Sequence, residues 1–310
     1  MTAIEERMTG KKIILVFGLL VMLTGTALAQ GSEIVYSLVN TDKEFSLSLQ
    51  EDGIRKAYNK FLDRESLVFM PTAINGPDYY RKQEADSAGL FRFPAWTEVS
   101  EDGLLGYTTG PFEFREDIMD ERPAATGHYV SIWRRKSSKS NWEIILDINI
   151  NHPDARPMRS TRYDQPISGK VPITPAYELV KSKQILLDSD ELFNISLKAG
   201  RLEFGYKEFF GDSVQLYREN YLPMLGKEQA MEHLLQMKGK YVYTTGDAYL
   251  SLVRDIAYTF GTGYYYENIR TSRFDQRFSY VRIWRKDKKG LWKVILDIEK
   301  PFEQTETSKE

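Results

Sequence analysis

The sequence contains no cysteine, and only three of its 310 residues are histidine. The missing cysteines exclude disulfides, thiolate metal ligands, a cysteine nucleophile and a lipid-modified cysteine. The histidines, His128, His152 and His233, do not form a pair with the spacing that metal sites use. We therefore predict neither a metal site nor a cofactor.

The chain also lacks an excess of charge of either sign. Its 42 basic and 44 acidic residues are interleaved and leave a formal charge of −2. Such a chain has no large field that would attract nucleic acid or an acidic membrane surface, so neither is predicted as a partner. Phosphate-binding glycine loops, dinucleotide fingerprints and a Gly-x-Ser-x-Gly motif are missing too, which removes the usual support for nucleotide binding and serine chemistry.

No apolar run is long enough to span a bilayer, which takes about 20 residues. The longest, residues 13–23, follows two lysines and precedes Ala27-Leu28-Ala29. This order is typical of a signal peptide and predicts cleavage before Gln30, with a periplasmic or secreted mature protein. A short uncleaved anchor is the alternative, and either Met1 or Met8 could be the start.

What the chain does contain is an internal repeat. Tyr-Val-Ser-Ile-Trp-Arg at 129–134 recurs as Tyr-Val-Arg-Ile-Trp-Arg at 280–285. Trp-Glu-Ile-Ile-Leu-Asp-Ile at 142–148 recurs as Trp-Lys-Val-Ile-Leu-Asp-Ile at 292–298, and Gly-Tyr-Thr-Thr-Gly at 106–110 has a counterpart at 257–261. Because these blocks keep their order and spacing, they indicate a duplicated domain.

Each unit opens with a helical pattern. Phe45, Leu49, Tyr58 and Phe61 have helical spacing, and Phe193, Leu197, Tyr206 and Phe209 repeat it. Thr41 with Glu44 resembles a capping box, which predicts one long helix from there. A proline-rich stretch with little periodicity separates the units. The predicted divisions are a signal peptide (1–29), a first domain (30–150), a linker (151–184), a second domain (185–303) and a polar tail (304–310).

Segments rich in aromatic and β-branched residues follow the helix. They predict strands at Glu98–Ser100, Leu104–Thr109, Phe112–Phe114, His128–Arg135 and Trp142–Ile148. Gly110 and Gly261 stand where a glycine could bend a long strand. A helical part before a bent, mainly antiparallel sheet predicts an α+β fold.

The Phe-x₃-Leu helix start, the Gly-Tyr-Thr-Thr-Gly strand and the closing Tyr-x₃-Trp-Arg and Trp-x₃-Leu-Asp hairpin resemble SnoaL-like and nuclear transport factor 2-like domains. The resemblance covers roughly residues 40–150 and 188–300 and is nearest to a branch found in exported bacterial proteins. It implies two tandem cone-shaped domains with a pocket between helix and sheet. Relatives use that pocket for isomerisation, cyclisation, hydrolysis, binding or dimerisation, so the fold alone does not define the function.

Asp147 and Asp297 are the candidate catalytic residues, since an enclosed carboxylate at the end of an apolar strand can act as a base. The alternative, which we favour, is a solvated carboxylate or an ion pair with Arg134 or Arg285 across the hairpin. Strand alternation places Asp147 on one face with Glu143 and Ile145, away from the more apolar face.

Five aromatic residues could line a ligand pocket: Trp96, Tyr107, Tyr129, Tyr258 and Tyr280. Packing within the sheet is the alternative, because aromatic residues are favoured in strands.

Three hypotheses remain. The first is a non-catalytic module that binds a hydrophobic or aromatic small molecule, or another protein. The second is an acid–base enzyme of the isomerase, cyclase or dehydratase type with Asp147 or Asp297 as base. The third is structural, with the two domains packed sheet to sheet as an intramolecular pseudo-dimer, or the chain paired as a homodimer.

Overall fold

The computed structural model of the protein describes residues 33–84, 87–153, 174–237, 239–268, 270 and 273–302. These residues form two separate sheets, each packed with helices, which confirms the predicted α+β class with two cone-shaped domains. We call residues 33–153 the first unit and residues 174–302 the second unit. The predicted signal peptide, most of the predicted linker and the polar tail lie outside the described residues. Within the described ranges, no helix combines the length and apolar character needed to cross a membrane.

The first unit begins with helix α1, described over residues 33–51. Its further elements are α2 (Ile54–Phe61), β1 (Leu62–Phe69), β2 (Ala73–Asn75), α3 (Gly76–Lys82), β3 (Gly89–Arg92), β4 (Trp96–Val99), β5 (Leu105–Arg115), β6 (Ala125–Arg134) and β7 (Glu143–Asn151). The strand order is β2-β1-β7-β6-β5-β3, with β4 also paired to β5. All pairings are antiparallel except that of β1 with β7.

The second unit repeats this plan with fewer strands. Its elements are α4 (Ala176–Lys198), α5 (Leu202–Phe209), β8 (Phe210–Arg218), β9 (Met224–Leu225), α6 (Lys227–Gln236), β10 (Lys240–Leu250), β11 (Ile256–Tyr266), β12 (Gln276–Lys286) and β13 (Trp292–Pro301). The order is β10-β11-β12-β13-β8-β9, and β8 again runs parallel to the closing strand.

The helices differ from the prediction in their ends. Helix α1 runs through Thr41, whose hydroxyl donates to the Ser37 carbonyl one turn earlier at 3.0 Å, so the predicted capping box is wrong. The helix then breaks at Gly53, where a φ of +85° ends regular helix, and α2 starts afresh. In the second unit α4 begins at Ala176, inside the segment predicted as linker.

Two glycines allow strands to pass unusually close to neighbouring backbone. A Cβ atom on Gly110 would lie 2.0 Å from the Phe93 carbonyl oxygen. On Gly261 it would lie 2.1 Å from the Thr244 carbonyl oxygen. No other residue type fits at these positions without a backbone shift.

A β-bulge decides which way Asp147 points. Strand β6 pairs Ile132 with Leu146 but Trp133 with Ile144, so Ile145 is an extra residue in β7. The bulge reverses the alternation, and the predicted sharing of a face by Asp147 and Ile145 is therefore wrong. Asp147 lies on the concave face, beneath the helices, and β13 has the same bulge at Ile295.

The convex faces of the two sheets pack against each other. Their contact is one continuous apolar cluster, the interface cluster, which contains Phe69, Leu105, Tyr107, Val130, Ile132, Ile145, Leu146, Ile148 and Ile150 of the first unit and Tyr217, Ile256, Tyr258, Val281, Ile283, Ile295, Leu296 and Ile298 of the second. Removing the apolar surface of these residues from water stabilises the contact between the two sheets by roughly 25 cal/mol per Å². Polar contacts flank the cluster, including a 2.8 Å ion pair between Arg285 and Glu98.

A buried histidine pair lies at one side of the interface cluster. Nδ1 of His128 and Nε2 of His152 are 2.6 Å apart, and the His128 ring lies against the Tyr217 ring of the second unit. Burial, with the adjacent His152, lowers the pKa of His128 to about 3. The folded protein therefore holds His128 neutral.

This pair predicts acid sensitivity. Between about pH 6.5 and 3 the unfolded chain binds a proton at His128 that the folded chain does not, so the free energy of unfolding falls as the pH falls through this window. His128→Gln should flatten that dependence by up to about 1.4 kcal/mol per pH unit. Urea unfolding of both proteins at several pH values measures the difference, and parallel profiles would contradict the assignment.

Candidate functional site

The first unit has a cavity of about 380 Å³, partly open to solvent, between its helices and the concave face of its sheet. Apolar side chains form much of the wall, among them Val68, Leu90, Phe112 and Phe114, and the lining also includes Arg55, Gln83 and Glu84. Polar side chains form the base, namely Tyr58, Tyr80, Arg92, Tyr129 and Asp147. The volume is at the lower end of the range for small-molecule sites, and an apolar wall with a few convergent polar groups is their usual composition.

Asp147 is the centre of the polar base. Its Oδ2 accepts a hydrogen bond from the Tyr58 hydroxyl at 2.7 Å. Its Oδ1 accepts from Arg92 Nη1 at 3.2 Å and from the Ser131 hydroxyl. A carboxylate has about four acceptor positions, so these contacts leave roughly one for a ligand.

Arg92 joins Asp147 to a second carboxylate. Its Nη2 lies 3.5 Å from Oδ1 of Asp42, and its guanidinium covers the Tyr129 ring at 3.5 Å. Burial alone would lower the pKa of Arg92, but the carboxylates of Asp147 and Asp42 outweigh it and hold that pKa above its ordinary value. Arg92 is therefore a fixed positive charge, and its Nε has no hydrogen-bond partner among the described residues.

Asp42, from the middle of α1, is fully buried. Its Oδ2 accepts a hydrogen bond from the Tyr129 hydroxyl at 2.7 Å. Burial raises the pKa of Asp42 above its usual value, although Arg92 opposes the change. Arg92 therefore lies between two buried carboxylates, Asp42 and Asp147.

Two stacked tyrosines line the cavity near Asp147. The Tyr58 and Tyr80 rings lie 4.0 Å apart and nearly parallel. Burial and the charge of Asp147 raise the pKa of Tyr58 far above its usual value. Burial likewise raises the pKa of Tyr80, so both hydroxyls keep their protons, and Tyr58 donates its proton to Asp147.

The corresponding interior of the second unit is filled by its own side chains. Arg282 bridges Asp190 at 2.7 Å and Asp297 at 3.1 Å, and it is completely buried. Arg218 contacts Asp297 and Glu299 at 2.7 and 2.9 Å. Tyr243 donates to Glu299 at 2.6 Å, and burial raises the pKa of Glu299.

Each unit thus places one guanidinium against the equivalent phenylalanine of its helix, but the two arginines come from different strands. Arg92 comes from β3 and lies 4.8 Å from the Phe45 ring. Arg282 comes from β12 and lies 4.4 Å from Phe193, the counterpart of Phe45. Ser131 is the residue of the first unit that corresponds to Arg282, and its small side chain leaves that interior open.

The predicted site residues fall in three places. Tyr129 and Asp147 lie together at the base of the cavity. Tyr107 and Tyr258 belong to the interface cluster, and Trp96 packs against it. Tyr280 and Asp297 lie inside the second unit, where Tyr280 donates to Asp190 at 2.8 Å. The predicted ion pairs of the aspartates also differ, because Arg134 binds Asp63 and Arg285 binds Glu98 instead.

Asp42 and Arg92 were not predicted. Asp42 could have been found, because the repeat that aligns Phe45 with Phe193 also aligns Asp42 with Asp190, at the same spacing. The exchange of Ser131 for Arg282 is likewise visible within the repeated hairpin motif. Arg92 has no counterpart in the second unit, and its position depends on the pairing of a four-residue strand.

Among the described residues, no group of three or more His, Asp or Glu side chains could hold a metal ion. The buried carboxylates are instead matched with arginines and tyrosines. The site thus offers hydrogen bonds and one ion pair at the base of an apolar chamber.

No family model and no curated protein matches the chain. Similar solved structures include a nuclear transport factor 2-like protein from Cytophaga hutchinsonii, with 16% identity, a TM-score of 0.32, and coverage of 38% of this chain and 97% of that one. A ketosteroid isomerase-like protein from Erwinia carotovora atroseptica has 12% identity and a TM-score of 0.33, covering 39% of this chain and 97% of its own.

A protein of unknown function with a cystatin-like fold from Nostoc punctiforme is similar at 18% identity, with a TM-score of 0.33 and coverage of 42% and 96%. Each match spans nearly all of the solved chain and less than half of this one. At these identities and TM-scores, the likenesses say nothing about the activity of this chain.

Replacement of Arg92 should lower the free energy of unfolding. Arg92→Met leaves Asp147 and Asp42 buried without a counter-charge, and we expect a loss of about 3–5 kcal/mol in the free energy of unfolding. Asp42→Asn in the same chain should recover part of the loss. Urea unfolding checks both.

Arg81→Met is the matched control for that experiment. Its partner Asp78 is 3.0 Å away, but both side chains are more than 60% exposed, so the cost should stay below about 1 kcal/mol. Equal costs for Arg92→Met and Arg81→Met would contradict the buried ion cluster.

Proposed function

We propose that the first unit binds one small, uncharged and largely apolar molecule in its cavity, without chemical conversion. The observation that carries the proposal is the position of Asp147, Arg92 and Tyr58, which form an ordered polar base inside an apolar chamber. In the second unit the corresponding space holds Arg282 and Tyr280, so we assign that unit a structural role.

Charge balance supports an uncharged ligand. The Arg92 guanidinium lies within ion-pair distance of both buried carboxylates, 3.2 Å from Asp147 and 3.5 Å from Asp42, so neither lacks a counter-charge. An ionic ligand would be desolvated without a free opposite charge at the base, which costs several kcal/mol. A neutral molecule with an aromatic or aliphatic body loses little by entering.

The proposal also covers the relation between the two units and the place where the protein acts. We propose that the two units are tandem SnoaL-like domains that arose by duplication and act as an intramolecular pseudo-dimer through the interface cluster. The predicted signal peptide supports a periplasmic or extracellular site of action.

An acid–base enzyme is the second candidate function. Asp147 lines the cavity and lies 2.7 Å from the Tyr58 hydroxyl, a spacing suited to a general base and a general acid. Against this, Asp147 already accepts three hydrogen bonds, two of them from neutral hydroxyls and one from Arg92. These contacts suit a fixed recognition group better than a group that must take up a proton.

Native mass spectrometry of the purified protein tests the proposal. We expect the wild type to carry one small molecule per chain, and Ala125→Trp, which places an indole ring in the cavity, to lose it. Ala124→Trp adds the same bulk at a neighbouring exposed position and should retain the ligand. Equal occupancy in the two variants would contradict binding in this cavity.

Asp147→Asn separates binding from catalysis. If the protein only binds, the bound molecule keeps its identity and its occupancy falls. If Asp147 is a catalytic base, the variant should accumulate a different molecule, the unconverted substrate, which fragmentation by mass spectrometry would reveal.

A further inference from the structure

The end of strand β7 is covered by the second unit. Pairing of β1 with β7 ends at Val68 and Asp147, whereas the equivalent pairing of β8 with β13 continues to Arg218 and Glu299. The edge of β7 beyond Asp147 is therefore not covered by β1.

Three residues of the second unit contact this edge. Glu219 accepts from the Asn151 backbone N–H at 2.9 Å, and the Asn220 N–H donates to the Asn151 carbonyl at 2.7 Å. Lys300 donates to Asn149 twice, to the backbone carbonyl at 2.9 Å and to the side-chain Oδ1 at 2.8 Å.

The Lys300 contact determines the orientation of the Asn149 amide. An ammonium group has donors and no acceptor, so only the amide oxygen can face it. The NH₂ group of Asn149 must then point to the other side. Asn149 is paired with Tyr129 across the sheet and lines the same cavity, which places an N–H donor near its polar base.

We propose that Lys300 is a positioning residue that makes Asn149 a hydrogen-bond donor toward the ligand, so that the cavity selects molecules with a carbonyl-type acceptor. This inference rests on the proposed ligand-binding function. A ligand that brings an acceptor satisfies the Asn149 N–H, which an all-hydrocarbon ligand would leave unpaired.

The second unit makes this contact to the first unit, and among the described residues the first unit makes no equivalent contact to the second. The residue of the first unit that corresponds to Lys300 is Ile150, which belongs to the interface cluster and has no charge to offer. The counterpart of Asn149 is Glu299, which is bound within its own unit by Arg218 and Tyr243. The second unit therefore serves the cavity of the first without receiving the same contact.

Two probe compounds of equal shape test the proposal. Acetophenone and α-methylstyrene differ only by a carbonyl oxygen in place of a methylene group, and NMR titration of the full chain gives a dissociation constant for each. The informative quantity is the preference for acetophenone, expressed as the ratio of the two constants. Asn149→Leu should reduce this ratio about tenfold, the value of one hydrogen bond.

Lys300→Met should reduce the same ratio at least about threefold, while the dissociation constant of α-methylstyrene stays the same, which a merely structural role would not produce. Lys300→Arg, which keeps a donor-only cation, should restore the preference. Lys293→Met is the matched control, because Lys293 lies in the same strand but contacts Glu208 within the second unit.

The outcomes separate the two proposals. If neither probe binds the wild type in the cavity, the proposed function is wrong and this inference with it. If both bind and Lys300→Met leaves the ratio unchanged, ligand binding stands and the positioning role of Lys300 is overturned.

Discussion

Each unit is organised around an arginine held between two buried carboxylates. A helix supplies one carboxylate, Asp42 or Asp190, and the closing strand supplies the other, Asp147 or Asp297. Two carboxylates could not share a dry interior without a cation, because their repulsion and desolvation would be uncompensated. The guanidinium therefore ties the first helix to the last strand and sets the distance between helix and sheet.

The origin of that guanidinium decides whether a unit has a cavity. In the second unit Arg282 rises from the middle of the sheet and occupies the space above it. In the first unit Ser131 takes that position and Arg92 reaches in from β3 at the edge of the sheet. Both units thus place a guanidinium between two carboxylates. Only the arrangement in the first unit, with Ser131 in the sheet and Arg92 at its edge, leaves room for a ligand. A single exchange in a repeated motif thus accompanies the difference between the two interiors.

The sequence predicted the architecture better than the site. The repeat, the helix stripe and the closing hairpin predicted two α+β units, since duplicated patterns and apolar periodicity are local features. Asp147 was a candidate, but strand alternation placed it on the wrong face, because the bulge at Ile145 depends on pairing with β6. Arg92 could not be predicted, for its role arises only when a short edge strand, β3, brings it 3.2 Å from Asp147.

One cone of the chain is open, and the other is filled by its own side chains. A crystal structure of the protein under xenon pressure tests it most directly, because xenon enters apolar cavities without needing a specific partner. We expect a xenon atom in the first unit, against Leu90, Phe112 or Phe114, and none in the second unit beside Arg282. Xenon inside the second cone, or in neither, would contradict it.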